Sequence, residues 1–128
     1  MKGSENIKRG EELLRRMAGD DYMKSREERM QLLPDMNDLI LGTVYGDIWN
    51  RQGLDKRSRS LCMIAIAVTM PEMEQNLVLH IKGGLTNGLS KEEILEVILH
   101  AAFYTGFPRA VVALGTAVDV FKDNGLIA

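Results

Sequence analysis

Eight consecutive apolar residues, Leu61 to Val68, constrain the fold of this 128-residue chain more than any other feature. The run is far too short to span a bilayer. Asp55 precedes it as a good N-cap, followed by a polar first turn of Lys56, Arg57, Ser58, Arg59 and Ser60. A buried strand also accommodates so short a run, but helix signals flank it on both sides and favour a helix from Lys56 to about Thr69. Apolar on every side for two turns, that helix reads as the central buried one, with Cys62 as a buried, inert thiol.

The rest of the chain punctuates itself at helical intervals. Asn6 to Ala18 carries Ile7, Leu13, Leu14 and Met17 near one face, a short amphipathic helix ended by Gly19-Asp20-Asp21. Ser25 with Glu28 has the pattern of a capping box opening a second helix, which must stop before Pro34. Asp35 then caps Met36 to Trp49, where Leu39, Ile40, Val44 and Ile48 form a stripe. Pro71 suits the first position of a helix to about Leu85, closed by Asn87-Gly88. Ser90 and Glu93 form a capping box for a helix to about Thr105, Gly106-Phe107-Pro108 breaks it, and a last helix runs from Pro108 to about Lys122. No stretch alternates with period two, so the fold class is all-α, a single-domain bundle of about six helices.

Composition narrows function mainly by exclusion. Net charge is −2, and Lys and Arg are scattered, with no basic block to suit a nucleic acid. The charged start lacks a signal-peptide core, and one cysteine excludes an intramolecular disulfide, so a cytoplasmic setting is expected, with no membrane partner. Neither histidine belongs to a metal-binding signature, so no metal is expected. His80 has mostly apolar or small neighbours at helical spacing. It is either a core histidine satisfied by one hydrogen bond or a general acid or base in a semi-apolar pocket. His100, with Glu96 and Glu93 behind it, reads as a solvated edge. Arg57 and Arg59 stand at a helix N-terminus, where cations are mildly unfavourable, so an anionic ligand or a structural carboxylate should compensate. Tyr45 and Trp49, four apart, read as packing residues that could also line a cleft.

The order of these segments resembles a known family. Gly46 through Leu61 (GDIWNRQGLDKRSRSL) is similar to the "GxxW-x-R-x-GLD-x-R-x-RSL" stretch of 4-carboxymuconolactone decarboxylases. Leu77-Val78-Leu79-His80, then Asn87 through Ile94 (NGLSKEEI), looks like the family's "L-x-LH…NG" segment, and Tyr104-Thr105-Gly106-Phe107-Pro108 matches its "YxGxP" turn. These motifs cover about residues 36–122, leaving 1–35 as an N-terminal helical extension. The resemblance implies an alkylhydroperoxidase D-like helical protomer, assembled as a homo-oligomer, commonly a hexamer of three dimers. It implies cofactor-free decarboxylation of a small anionic substrate, a carboxylated unsaturated lactone, in the breakdown of aromatic compounds. His80 is then the proton donor or shuttle, Glu74 a candidate to orient it, Arg57 and Arg59 the anion-binding groups, and Trp49 a pocket wall. In the peroxidase branch of the superfamily two cysteines precede the histidine. Here Glu74 and Leu77 occupy those positions, so a disulfide cycle is chemically unavailable. Where many decarboxylases carry an acidic residue directly before the "L-x-LH", this chain has Asn76. A tautomerase or isomerase acting on a related enol or lactone acid, and a non-enzymatic oligomeric binding protein, are the competing expectations.

Overall fold

The computed structural model describes residues 3–128, and every regular element among them is helical. Seven α-helices run in order: α1 (Ser4–Ala18), α2 (Asp20–Met30), α3 (Pro34–Leu39), α4 (Lys56–Thr69), α5 (Leu77–Thr86), α6 (Lys91–Thr105) and α7 (Phe107–Asp123). The all-α expectation holds. None of the described helices is long and apolar enough to cross a membrane. The chain forms two compact units, one ending at Lys56 and the other comprising Arg57–Ala128.

In the first unit, α1 buries Leu13, Leu14 and Met17 on the face that its apolar spacing marks out. The expected helix start at Ser25 is corrected by the structure. Gly19 breaks the chain at φ 91°, and α2 begins at once with Asp20 and Asp21 in its positive first turn. Ser25 lies inside the helix, where Arg29 donates to its Oγ. The single helix expected over Met36–Trp49 is also revised: α3 passes into a π-helical stretch, Ile40–Tyr45, and then a 3-10 turn, Ile48–Asn50. The backbone N–H of Gly46 reaches five residues back to the Leu41 carbonyl at 2.7 Å. Asn50 Nδ2 donates to the carbonyls of Tyr45 and Gly46, each at 3.0 Å, and closes the distorted end.

Two glycines bring α1 against this stretch. A Cβ on Gly10 would run into the Leu41 carbonyl oxygen and lie 2.8 Å from the Gly46 nitrogen, and one on Gly46 would run into the Asn6 carbonyl. The backbones touch because neither position carries a side chain.

The second unit encloses a core of Ile64, Ala67, Val68, Leu77, Ile81, Ile94, Ile98, Ala113, Ala117 and Phe121. Helix α6 starts as expected: Ser90 Oγ accepts the Glu93 N–H at 3.0 Å, and Glu93 Oε1 accepts the Ser90 N–H at 2.9 Å. Helix α4 differs from expectation. Only Ser60, Ile64, Ala67 and Val68 are buried, whereas Cys62 and Ile66 are exposed, so the buried-thiol reading of Cys62 is corrected. The run is apolar all round, but within the chain α5 and its neighbours cover only one side. Leu99, Phe103, Phe107, Val111 and Leu114 likewise form an uncharged exposed stripe along α6 and α7, with Phe103 and Phe107 edge to face at 5.3 Å.

Candidate active site

Chain segments on either side of Asn76 set the position of His80. Pro71–Asn76 forms a 3-10 turn and α5 follows directly, so the helix expected from Pro71 tightens in its first part. Two contacts fix how α5 lies on α4. Asn87 Nδ2 donates to Ser60 Oγ at 3.0 Å, and a Cβ on Gly84 would meet Ile64 Cδ1 at 3.0 Å and Leu89 Cδ1 at 3.1 Å. Glycine at 84 therefore permits the close approach. The pairs Ser60–Asn87 and Ile64–Gly84 run antiparallel, so each step along α4 matches a step back along α5. The His80 end of α5 therefore points toward the Val68 end of α4.

His80 is 3% exposed, among buried Leu77, Leu79 and Ile81. Its Nδ1 is buried and makes no hydrogen bond within the chain. Burial pushes its pKa down to about 4, because the imidazolium would lose its hydration without gaining a partner. At neutral pH the side chain is thus an uncharged imidazole with an open ring nitrogen.

The same burial makes a prediction about stability. An unfolded-chain histidine takes up a proton below about 6.5, whereas His80 does so only below about 4. The stabilisation is fully present above pH 6.5 and is lost as the pH falls toward 4, an effect of about 3 kcal/mol. Urea unfolding at pH 7 and pH 4.5 checks it: the wild type should lose more stability across that interval than His80→Gln. Equal losses would refute the burial argument.

Glu74 is half exposed on the 3-10 turn and pairs with Arg109 Nη1 at 3.7 Å. Arg109, in the first turn of α7, also donates from Nε to the Val68 carbonyl at 3.2 Å. Arg109 is absent from the sequence-level set of functional residues, although a usable signal existed. It is a cation at a helix start, the same circumstance that drew notice to Arg57 and Arg59.

Arg57 pairs with Glu93, whose other carboxylate oxygen holds the α6 cap. Arg59 lies half-buried in the same turn of α4. Trp49 belongs to the first unit, 5% exposed and stacked on Tyr45 with ring centroids 6.0 Å apart. His100 is exposed and tilted against Tyr104 at 5.1 Å. It edges an open groove of about 680 Å³ between α4 and α6, floored by Leu61, Ala65 and Val97 and rimmed by Glu93 and Glu96. Glu93 is already neutralised by Arg57, and neither Arg57, Arg109 nor His80 is among the groove's walls. In the second unit Glu74 and Arg109 thus meet by the Val68 end of α4, toward which α5 runs at its His80 end, and Arg57 meets Glu93 at the other.

Comparisons with known proteins cover this whole arrangement. The sequence profile of the carboxymuconolactone decarboxylase family matches residues 34–119. The chain is 32% identical over 127 residues to a 4-carboxymuconolactone decarboxylase of Acinetobacter baylyi, covering 98% of this chain and 94% of that protein. It is 36% identical over 86 residues to a nitrosuccinic acid decarboxylase of Metarhizium robertsii, covering 67% of this chain and 59% of the relative. An uncharacterised 15.0 kDa protein of Paracoccus denitrificans shares 32% identity over 95 residues, 73% of this chain and 71% of its own. The motifs around Trp49, His80 and Gly106 fall inside the matched span, and the chain belongs to the carboxymuconolactone decarboxylase family.

Proposed function

We propose that this protein is a carboxy-lyase that removes carbon dioxide from a small carboxylated unsaturated lactone of the 4-carboxymuconolactone type, without a cofactor, in the breakdown of aromatic compounds. The observation that carries the proposal is His80, a buried neutral imidazole with an open nitrogen in a family whose named relatives include decarboxylases. In the reaction, the bond from ring carbon to the leaving carboxylate breaks. Its electron pair passes into the conjugated lactone carbonyl, giving a dienolate, and a proton returns to carbon to give the enol-lactone. One carbon dioxide leaves and one proton is taken up.

The substrate supplies its own electron sink, so the protein has three tasks: a dry pocket, cations for carboxylate and dienolate, and a relay for one proton. His80 is the relay. Its low pKa keeps it a base in the empty site, and an arriving anion raises that pKa and favours proton uptake where the proton is needed. Glu74, paired with Arg109, is the candidate to orient it. Arg57 and Arg59, at the α4 N-terminus, add positive charge to the same unit.

The test is an ultraviolet and carbon dioxide assay of the purified protein against a panel of carboxylated lactones and enol acids. Carbon dioxide release above the spontaneous rate supports the reading. Isomerisation without loss of mass shifts the chemistry to a tautomerase, the alternative that Asn76 favours.

The working form proposed is a homo-oligomer, a hexamer of three dimers, in the cytoplasm. The uncharged stripe from Leu99 to Leu114 supports self-association. Phe103, Tyr104 and Phe107 are 70%, 79% and 56% exposed, on the order of 400 Å² of aromatic surface, which is already the largest patch usual on a monomer. Light scattering should show an oligomer for the wild type and a smaller species for the Phe103→Asp/Phe107→Asp double variant. A monomeric wild type would remove the idea.

A further inference from the structure

Resting on the decarboxylase reading, we infer that Arg109 is the group that binds the substrate's carboxylate beside His80. The inference begins with distance. Val68, whose carbonyl Arg109 holds, lies at the end of α4 toward which α5 runs at its His80 end. Arg57 stands eleven residues earlier on α4, roughly 16 Å away along the axis at 1.5 Å per residue. A single small lactone cannot span that length, and the Arg57 guanidinium is already engaged by Glu93.

Arg109 also has the free donor that an anchor needs. Its Nε is fixed on the Val68 carbonyl at 3.2 Å, which sets the plane of the guanidinium. Its Nη1 meets Glu74 Oε2 only at 3.7 Å, beyond hydrogen-bond range for a strong contact. Its Nη2 is buried and bonded to nothing within the chain. A buried N–H of a charged group left without an acceptor is costly and calls for a partner. The edge formed by Nη1 and Nη2 is the one that takes a carboxylate in a two-pronged arrangement. Glu74, half exposed and loosely held, is the side chain that an incoming carboxylate displaces. Glu74 thereby becomes a stand-in for the substrate in the empty site, and a competitor to it.

Calorimetric binding of a saturated γ-lactone carboxylate, which cannot lose carbon dioxide by this route, tests the assignment on the full chain. Arg109→Gln should weaken binding roughly tenfold or more, and Arg109→Lys should retain part of it, since the lysine keeps the charge but loses the fork. Glu74→Gln should bind about two- to fivefold more tightly, because a charged competitor is gone. A merely structural pair would weaken binding in both directions. Melting curves identify any variant that fails to fold, and Glu74→Gln decides if Arg109→Gln does.

Wild-type affinity in folded Arg109 variants, or wild-type or weaker binding in Glu74→Gln, overturns the assignment while leaving the reaction intact. Binding that depends on Arg109 in a protein that releases no carbon dioxide keeps the anchor and removes the decarboxylation. A wild type that binds no lactone carboxylate removes both.

Discussion

Replacing His80 by alanine is expected to lower kcat for decarboxylation by about 10² to 10⁴, the range that a positioned proton-transfer group contributes. The effect should fall on kcat more than on KM, because a buried imidazole with no charge at neutral pH contributes little to holding an anion before reaction. His80→Gln is the sharper variant. It keeps a polar side chain of similar reach but cannot exchange a proton near neutral pH, so it should be as inactive as the alanine while remaining better folded. Turnover within a few-fold of wild type in His80→Gln would remove the histidine from the chemistry, even with the family assignment intact.

The second large effect concerns the other unit. Gly10→Ala is expected to destabilise the chain by at least about 3 kcal/mol, since the added methyl would enter the space of the Leu41 carbonyl. The obstacle is backbone on both sides, so no flexible side chain can move away, and α1 must lift from the π-helical stretch. Gly3→Ala is the control: a Cβ there has no neighbour within 4 Å, and the change should be nearly neutral. Chemical denaturation of the two variants measures the difference directly. A loss below about 1 kcal/mol in Gly10→Ala would mean that the two segments adjust more readily than close packing permits.

Much of this was legible in the sequence, for identifiable reasons. Ser90 and Glu93 announce the α6 start because their two hydrogen bonds are local and depend on nothing distant. The Trp49, His80 and Gly106 motifs led to the family because they occur in its order, and the matched span of residues 34–119 agrees with the 36–122 read from them. What failed to show was tertiary. An apolar run reports the hydrophobicity of a helix and says nothing of how many sides its own chain covers, so Cys62 was misread. Ser25 with Glu28 has a capping pattern, but Gly19 followed by two acidic residues starts α2 earlier. Arg109 was overlooked because its meaning lies in Val68 and Glu74, 41 and 35 positions away.

The π-helical stretch Ile40–Tyr45 also bears on how the chain tolerates changes of length. A π turn holds one residue more than the α turn it replaces, so it amounts to a single-residue insertion absorbed without breaking the helix. Removing one residue there, Thr43 for example, should let the segment relax to ordinary α geometry. Because a π turn and an α turn each complete one rotation, the shortened helix should keep the residues that follow facing the same way. Tyr45 and Trp49, stacked inside, should stay there. This stretch is thus the place in the first unit where the chain most readily gives up one residue.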